Sequence, residues 1–95
     1  MKGTVTLIVP CYNEEESLPI FYHAVCDVAQ TLPDYQITFL LINDGSKDNT
    51  LQIMRDLAAK DERVKYLSFS RNFGKEAAMY AGFCNAEGDY VAVMD

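Results

Sequence analysis

The chain has 95 residues and a formal net charge of −6, from 8 basic and 14 acidic side chains. This length suits one small domain, which buries only about 60 to 65% of the surface of its unfolded chain. The acidic balance and the lack of any Lys/Arg cluster argue against nucleic acid as a partner. A nucleotide that carries phosphates is still compatible with this charge, through a metal ion.

The hydrophobic pattern first predicts a strand over residues 4–10 and then a helix. The strand segment is rich in β-branched residues, and Pro10 is expected to end its pairing. Ser17 is expected to be the N-cap of the helix, which closes at Pro33. The expected inner stripe of this helix consists of Leu18, Phe21, Tyr22, Val25, Val28, Ala29 and Leu32.

The remaining pattern alternates in the same way to the end of the sequence. Strands are expected over residues 35–43, 64–70 and 90–94, and helices over 50–61 and from 76 to a stop at Gly88. The order βαβαβαβ predicts an α/β fold, a Rossmann-like parallel sheet with right-handed crossovers. The last helix is expected to lie close against the sheet, because its inner stripe is small: Ala77, Ala78, Ala81, Gly82 and Asn85.

The predicted fourth strand is followed directly by Asp95. Because a domain rarely ends at the polar tip of an interior strand, we expect residues 1–95 to be part of a larger domain. An open sheet edge would then favour self-association, so a homo-oligomer is possible.

The cysteines Cys11, Cys26 and Cys84 are odd in number and widely spaced, which indicates neither a disulfide framework nor a zinc site. A reducing, cytoplasmic environment fits this usage. The sequence opens without a signal peptide, and no apolar run reaches the roughly 18 to 20 residues that span a bilayer. We therefore expect this portion to be soluble and cytoplasmic, although a missing remainder need not be.

Three apolar runs stop at polar residues, and ligands of parallel sheets bind at such strand ends. Asp44 and Gly45 follow the second run, where the carboxylate could accept a hydrogen bond from a nucleobase or a ribose. The alternative is that Asp44 only caps the next helix and Gly45 only supplies a positive φ. After the first run, Tyr12 offers an aromatic face and Glu14 an acceptor for a sugar hydroxyl; the alternative roles are core packing and a first-turn acid.

A third polar segment, residues 70–75, contains Arg71 and Lys75 near the start of a helix, a setting that suits phosphate. The alternative is a solvated basic loop. Neither a Walker loop nor a Gly-x-Gly-x-x-Gly pattern is present, which removes the main support for ATPase and dinucleotide-binding functions. Ile42 stands where a dehalogenase-like phosphatase needs its nucleophilic aspartate. His23 is expected on the surface, and Cys11 is expected to be a packing residue.

Four motifs in order resemble the amino-terminal half of family-2 glycosyltransferases. They are Val-Pro-Cys-Tyr-Asn-Glu-Glu at 9–15, Ile-Asn-Asp-Gly-Ser-Lys-Asp-Asn-Thr at 42–50, Ser-Arg-Asn-Phe-Gly-Lys-Glu-Ala-Ala at 70–78 and Gly-Asp-Tyr-Val-Ala-Val-Met-Asp at 88–95. The resemblance is closest to the polyprenyl-phosphate branch, the bactoprenol glucosyltransferases and dolichyl-phosphate mannose synthases. It implies a GT-A fold and inverting transfer from a nucleotide sugar, UDP rather than GDP, to a polyprenyl phosphate.

By position, the resemblance implies that Asp44 binds the base and that Asp95 is the first aspartate of an Asp-x-Asp motif for Mg²⁺ or Mn²⁺. The membrane helices and the acceptor half of that branch are missing, so we expect the isolated chain to be inactive and the full-length protein to lie on the cytoplasmic face of the membrane. The alternative is a non-catalytic nucleotide-binding module. The residues expected at the nucleotide-sugar site are Pro10, Tyr12, Asn13, Glu14, Asp44, Gly45, Ser46, Arg71, Asn72, Gly74 and Lys75.

Overall fold

The computed structural model describes residues 3–94. Strands and helices alternate along the chain in the predicted order. They are β1 Gly3–Cys11, α1 Ser17–Gln30, β2 Tyr35–Asn43, α2 Thr50–Lys60, β3 Val64–Ser68, α3 Lys75–Asn85 and β4 Tyr90–Val93.

The described strands form one sheet in the order β3-β2-β1-β4, and every neighbouring pair is parallel. This confirms the α/β, Rossmann-like prediction. The carboxyl ends of parallel strands lie at the same edge of a sheet, so the loops after β1, β2 and β3 are brought together there. β4, expected as an interior strand, lies at an edge of the described sheet, and Tyr90 is largely exposed.

Side chains of the central strands alternate between the two faces of the sheet, and each face has its own core. Phe39 of β2 packs with Leu18 of α1 and Met54 of α2 on one face. Ile8 of β1 packs with Ala78 of α3 on the other. Each large apolar side chain buried in this way contributes about 1.5 to 3 kcal/mol. The sheet is therefore covered on both faces, which positions the ends of its strands.

The small stripe of α3 brings that helix close to the sheet, as predicted. A Cβ atom on Gly82 would lie 2.4 Å from Cγ2 of Ile8, so no larger residue fits without a shift. Asn85 was wrongly placed in this stripe. Its side chain is exposed and donates to the Ala81 carbonyl at 2.8 Å, at the end of the helix.

Two expectations for α1 were wrong. Ser17 is the first helical residue, not the N-cap, and its hydroxyl donates to the Glu14 carboxylate. Val28 is 56% exposed because, at about 100° per residue, it lies on the flank of the stripe that Leu18 and Val25 define. Leu32 is also exposed, since the helix ends at Gln30.

Pro10 does not end the pairing of β1, so that expectation was also wrong. Pro10 is paired with Ile42, and the next residue, Cys11, is still paired with Asn43. The Ile8 carbonyl accepts from the Met94 N–H on the β4 side. Pro10 is two residues after Ile8, so its backbone groups also face β4. The N–H that proline lacks would therefore point toward β4, and the hydrogen bonds between β1 and β2 are intact.

Several predicted boundaries differ from the structure by a few residues. β3 ends at Ser68, two residues earlier than expected, and β4 ends at Val93. The third helix ends at Asn85, while Gly88, at φ +126°, forms the turn before β4. Between residues 3 and 94 no helix has the length and apolar character needed to cross a bilayer.

Candidate nucleotide-binding site

A cleft of about 360 Å³ opens at the carboxyl edge of the sheet. It brings together residues from all three of the polar segments that the sequence singled out. Most of the predicted site residues lie on its wall, together with Cys11. The lining residues are Pro10, Cys11, Tyr12, Glu14, Asp44, Asn72, Gly74 and Lys75.

Asp44 is at the centre of this arrangement and is only 3% exposed. Its Oδ1 accepts from the Phe73 N–H at 2.8 Å, and its Oδ2 accepts from the Gly74 N–H at 3.0 Å and from Nδ2 of Asn72 at 3.2 Å. The Asn72 amide also donates to the Asp44 carbonyl at 3.1 Å. A carboxylate has about four acceptor positions, so one position on Oδ1 is left for a ligand. Asp44 therefore shapes the loop after β3 from the end of β2.

Gly45 allows this loop to come close. Its φ is +68°, and a Cβ atom there would lie 2.1 Å from the carbonyl carbon of Arg71 and 2.3 Å from the nitrogen of Asn72. The sequence predicted that Gly45 belongs to the nucleotide-sugar site, with a positive φ as the alternative role. The group that approaches is the chain's own segment at Arg71 and Asn72, and Gly45 is not part of the cleft wall.

Asn13 and Ser46 join the loop after β1 to the loop after β2. The Asn13 N–H donates to Oγ of Ser46 at 3.0 Å, and the Lys47 N–H donates to Oδ1 of Asn13 at 2.8 Å. The Ser46 N–H in turn donates to Oδ1 of Asn43 at 3.0 Å. Asn13 has a φ of 54°, a left-handed conformation that asparagine tolerates. Both residues were expected at the site, and the structure places them in the framework that builds it.

Asp48 and Thr50 form a second link between the same loops, and sequence reasoning gave neither residue a role. The Glu14 N–H donates to Oγ1 of Thr50 at 2.8 Å, and the Thr50 hydroxyl donates to Oδ1 of Asp48. The Thr50 N–H also donates to Oδ1 of Asp48 at 2.9 Å, and the Glu15 N–H to Oδ2 at 3.3 Å. An aspartate often accepts the backbone N–H two residues later in an Asx turn, which could have indicated part of this link.

The pKa of Asp48 reflects these contacts. Desolvation raises it, but the hydrogen bonds from Thr50 and from the Glu15 backbone outweigh desolvation and hold the pKa of Asp48 below its ordinary value. The carboxylate form is therefore the one that this loop arrangement requires.

The basic residues of the third segment differ in position. Lys75 lies on the cleft wall at the start of α3, whereas Arg71 is not part of the wall. The Arg71 guanidinium stacks over the Phe73 ring at 4.6 Å from the ring centroid, a cation–π contact. Of the two cations, Lys75 is the one placed to meet a ligand in the cleft.

Cys11 and His23 lie where the sequence suggested. Burial raises the pKa of the Cys11 thiol to about 12, and the nearby Glu14 charge adds to this effect, so the thiol is protonated and packs as a small apolar group. His23 is exposed on α1, with its ring 5.5 Å from that of Tyr22. Among residues 3–94 no group of three or more His, Cys, Asp or Glu side chains could hold a metal ion. The predicted metal ligand, Asp95, lies outside the described residues.

A parallel α/β sheet with a cleft at the carboxyl ends of its strands defines a Rossmann-like ligand-binding domain. The sequence narrows this class further. The profile of Glycosyl transferase family 2 matches residues 6–95, and the chain belongs to that family. This confirms the resemblance that the four motifs carry.

Relatives and solved structures agree with this assignment. The bactoprenol glucosyl transferase of Shigella phage SfV is 48% identical over 91 residues, which are 96% of this chain and 29% of the relative. The undecaprenyl-phosphate 4-deoxy-4-formamido-L-arabinose transferase of Pseudomonas fluorescens is 38% identical over 92 residues, 96% of this chain and 27% of that protein. The crystal structure of S. aureus TarS 1-349 in complex with UDP superposes with a TM-score of 0.79 at 25% identity, covering 97% of this chain and 27% of the TarS 1-349 chain. The chain thus spans less than a third of the length of these proteins.

Proposed function

We propose that the cleft is the nucleotide-sugar site of a glycosyltransferase that uses a UDP-sugar as donor and a polyprenyl phosphate as acceptor, in cell-envelope glycan synthesis. The observation that carries this proposal is Asp44, a buried carboxylate that gathers the loop after β3 at the cleft and has one acceptor position left. The names of the relatives, a bactoprenol and an undecaprenyl-phosphate transferase, support the acceptor class. The UDP complex of TarS supports the donor class.

The cleft residues offer a binding group for each part of such a donor. Tyr12 is 43% exposed, so its ring face can stack on a base. The remaining acceptor position of Asp44 can receive an N–H of that base, and the Glu14 carboxylate can receive a ribose hydroxyl. Lys75 places a positive charge on the same wall, where a diphosphate would extend. The residues proposed for the base, sugar and phosphate contacts all line one cleft of about 360 Å³.

We propose that transfer is inverting. A phosphate acceptor is already anionic, so catalysis depends more on aligning the nucleophile, anomeric carbon and leaving group than on a strong general base. Residues 1–95 supply the donor side of this alignment. We therefore propose that the 95-residue chain binds nucleotide without transferring sugar, and that the longer protein works at the cytoplasmic membrane face. Turnover of a UDP-sugar by the isolated chain would contradict this.

A divalent cation, Mg²⁺ or Mn²⁺, is also part of the proposal, with Asp95 as a ligand. Such an ion would offset the negative charge on the departing diphosphate. Residues 3–94 hold no cluster of side chains that could bind this ion alone. The proposed contacts of Tyr12, Glu14 and Asp44 are with the nucleoside and not with the ion, so we expect them to form even without metal.

Calorimetric titration with UDP and with GDP, each with and without Mn²⁺, tests the proposal. We expect UDP to bind, Mn²⁺ to strengthen binding, and Asp44→Ala to weaken it at least about tenfold, because a hydrogen bond to a charged group and the cleft shape are both lost. Asp61→Ala is the matched control, since this carboxylate also accepts several hydrogen bonds but lies outside the cleft. Absence of UDP binding, or equal losses in both variants, would contradict the proposed site.

A further inference from the structure

We propose that Thr50 is a positioning residue for the nucleotide site, acting through the turn that carries Tyr12 and Glu14. Thr50 begins α2 and does not line the cleft. Its side chain is nevertheless fully buried, at 0% exposure, and contacts the backbone of the turn after β1. The inference rests on the proposed function for its effect on binding, but not for its effect on the turn.

The contact is directional. Oγ1 of Thr50 accepts the Glu14 N–H at 2.8 Å, while its proton is donated to Asp48. A hydroxyl that donates to a carboxylate has its lone pairs turned the other way, and here they face Glu14. Asp48 is itself held by the Thr50 N–H at 2.9 Å, so the carboxylate orients the hydroxyl and the hydroxyl orients the turn.

Glu14 is the point at which this orientation reaches the cleft. Glu14 lies on the cleft wall, and its carbonyl accepts the Leu18 N–H at 2.9 Å, which starts the hydrogen-bond pattern of α1. Thr50 therefore sets both the position of a cleft carboxylate and the start of a helix. Asn13 and Ser46 also join these two loops, but both residues are more exposed than Thr50.

Two substitutions separate the hydroxyl from the shape of the side chain. Thr50→Val keeps the shape and removes the acceptor, leaving the part-buried Glu14 N–H without its partner. Thr50→Ser keeps the hydroxyl. Thr6→Val is the matched control, because Thr6 is also buried and its hydroxyl donates to a backbone carbonyl, that of Glu87, away from the cleft. Asp48→Ala, at a less buried position, removes the group that orients the hydroxyl and also the acceptor of the Thr50 and Glu15 N–H groups, so in that variant only the Glu14 amide reports on Thr50.

Amide hydrogen exchange of the folded chain tests the effect on the turn, without any ligand. We expect the Glu14 amide to exchange roughly tenfold faster or more in Thr50→Val, less so in Asp48→Ala, and at the wild-type rate in Thr50→Ser and Thr6→Val. Unchanged exchange at Glu14 in both Thr50→Val and Asp48→Ala would overturn the proposal. If Thr50→Val does not fold, Asp48→Ala decides the matter alone.

Titration of the same variants with UDP then tests the consequence for the site. We expect roughly five- to tenfold weaker binding for Thr50→Val, recovery to within about twofold in Thr50→Ser, and no change in Thr6→Val. Equal weakening by Thr50→Val and Thr6→Val would mean that only stability is involved, and would overturn the positioning role. If the wild-type chain does not bind UDP, the proposed function fails, while the exchange result still decides whether Thr50 holds the turn.

Discussion

Asp44 and Asp61 are both carboxylates that accept three or more hydrogen bonds, but at different places in the fold and from different donors. Asp44 follows β2 at the carboxyl edge, and two of its donors are backbone N–H groups of Phe73 and Gly74. Asp61 precedes β3, and its carboxylate accepts mainly from the side chains of Arg63 and Tyr22, with one backbone donor, the Arg63 N–H. Backbone donors hold a loop in one shape, whereas charged side-chain donors neutralise the carboxylate. The first arrangement builds a cleft; the second stabilises a turn.

Asp61, Arg63 and Tyr22 form a hydrogen-bonded group, the Asp61 cluster, and its electrostatics follow from the donors to the Asp61 carboxylate. The Arg63 guanidinium, 2.7 Å from Asp61, holds the pKa of that carboxyl well below its usual range; desolvation opposes this and the Tyr22 hydroxyl adds to it. The bond to Asp61 and burial raise the pKa of Tyr22 to about 12. Arg63 also lies 5.9 Å from the Phe39 ring centroid, so the cluster is joined to the core.

Gly45 offers the largest expected effect on the carboxyl edge. An added Cβ would overlap the backbone at Arg71 and Asn72, so Gly45→Ala is expected to lower the free energy of unfolding by about 3 kcal/mol and to abolish UDP binding. Urea unfolding and calorimetry measure the two effects. Gly45→Asn sharpens the test, because asparagine tolerates a positive φ; recovery of stability in that variant would show that φ, and not the approach of the loop, requires glycine.

The Asp61 cluster is expected to affect stability as a function of pH and to leave UDP binding unchanged. Because the folded-state pKa of Asp61 is depressed, its contribution is present above the unfolded value of about 4 and is lost as the pH falls through the folded value. The folded-state pKa of Tyr22 is raised to about 12, so its contribution is present below about pH 10 and is lost as the pH rises from there to about 12.

Urea unfolding from pH 3 to 11 measures both arms of this dependence. Asp61→Asn is expected to flatten the acid arm and to cost about 1 kcal/mol at neutral pH. Tyr22→Phe is expected to flatten the alkaline arm and to reduce the acid arm only in part, because Arg63 still lowers the pKa of Asp61. An acid arm that is unchanged in Asp61→Asn would assign the loss of stability to other carboxylates, among them Asp48, whose pKa is also lowered.

Thiol reactivity is expected to distinguish the carboxyl edge from an exposed surface, without an effect on stability. Cys11 is buried with a pKa of about 12, whereas Cys84 is exposed. In variants that keep a single cysteine, we expect iodoacetamide at pH 8 to modify Cys11 at least roughly 100-fold more slowly than Cys84, because the thiolate is the reactive form. Comparable rates would show that the Cys11 thiol is accessible from the cleft, and would contradict the expected difference between Cys11 and an exposed cysteine.

The alternation of strands and helices was predictable because it depends on local periodicity. The buried run of β2 and the small stripe of α3 were correctly interpreted from the residue types alone. Val28, Asn85 and the N-cap at Ser17 were not, since a residue on the flank or end of a helix is buried or exposed according to what its neighbours in space cover.

The chain's four motifs determined its family and the edge of the sheet at which its candidate site lies, because strand ends and glycines leave a local signal. The use of each site residue was decided by tertiary structure. Asp44 meets Gly74 across 30 residues of sequence, and Glu14 meets Thr50 across 36. Such contacts depend on the order of the strands and on how closely the loops approach one another, and no single segment encodes either. For that reason the sequence could identify Asp44 and Gly45, but only the folded chain shows that they hold a loop, and that Thr50 and Asp48 belong to the same framework.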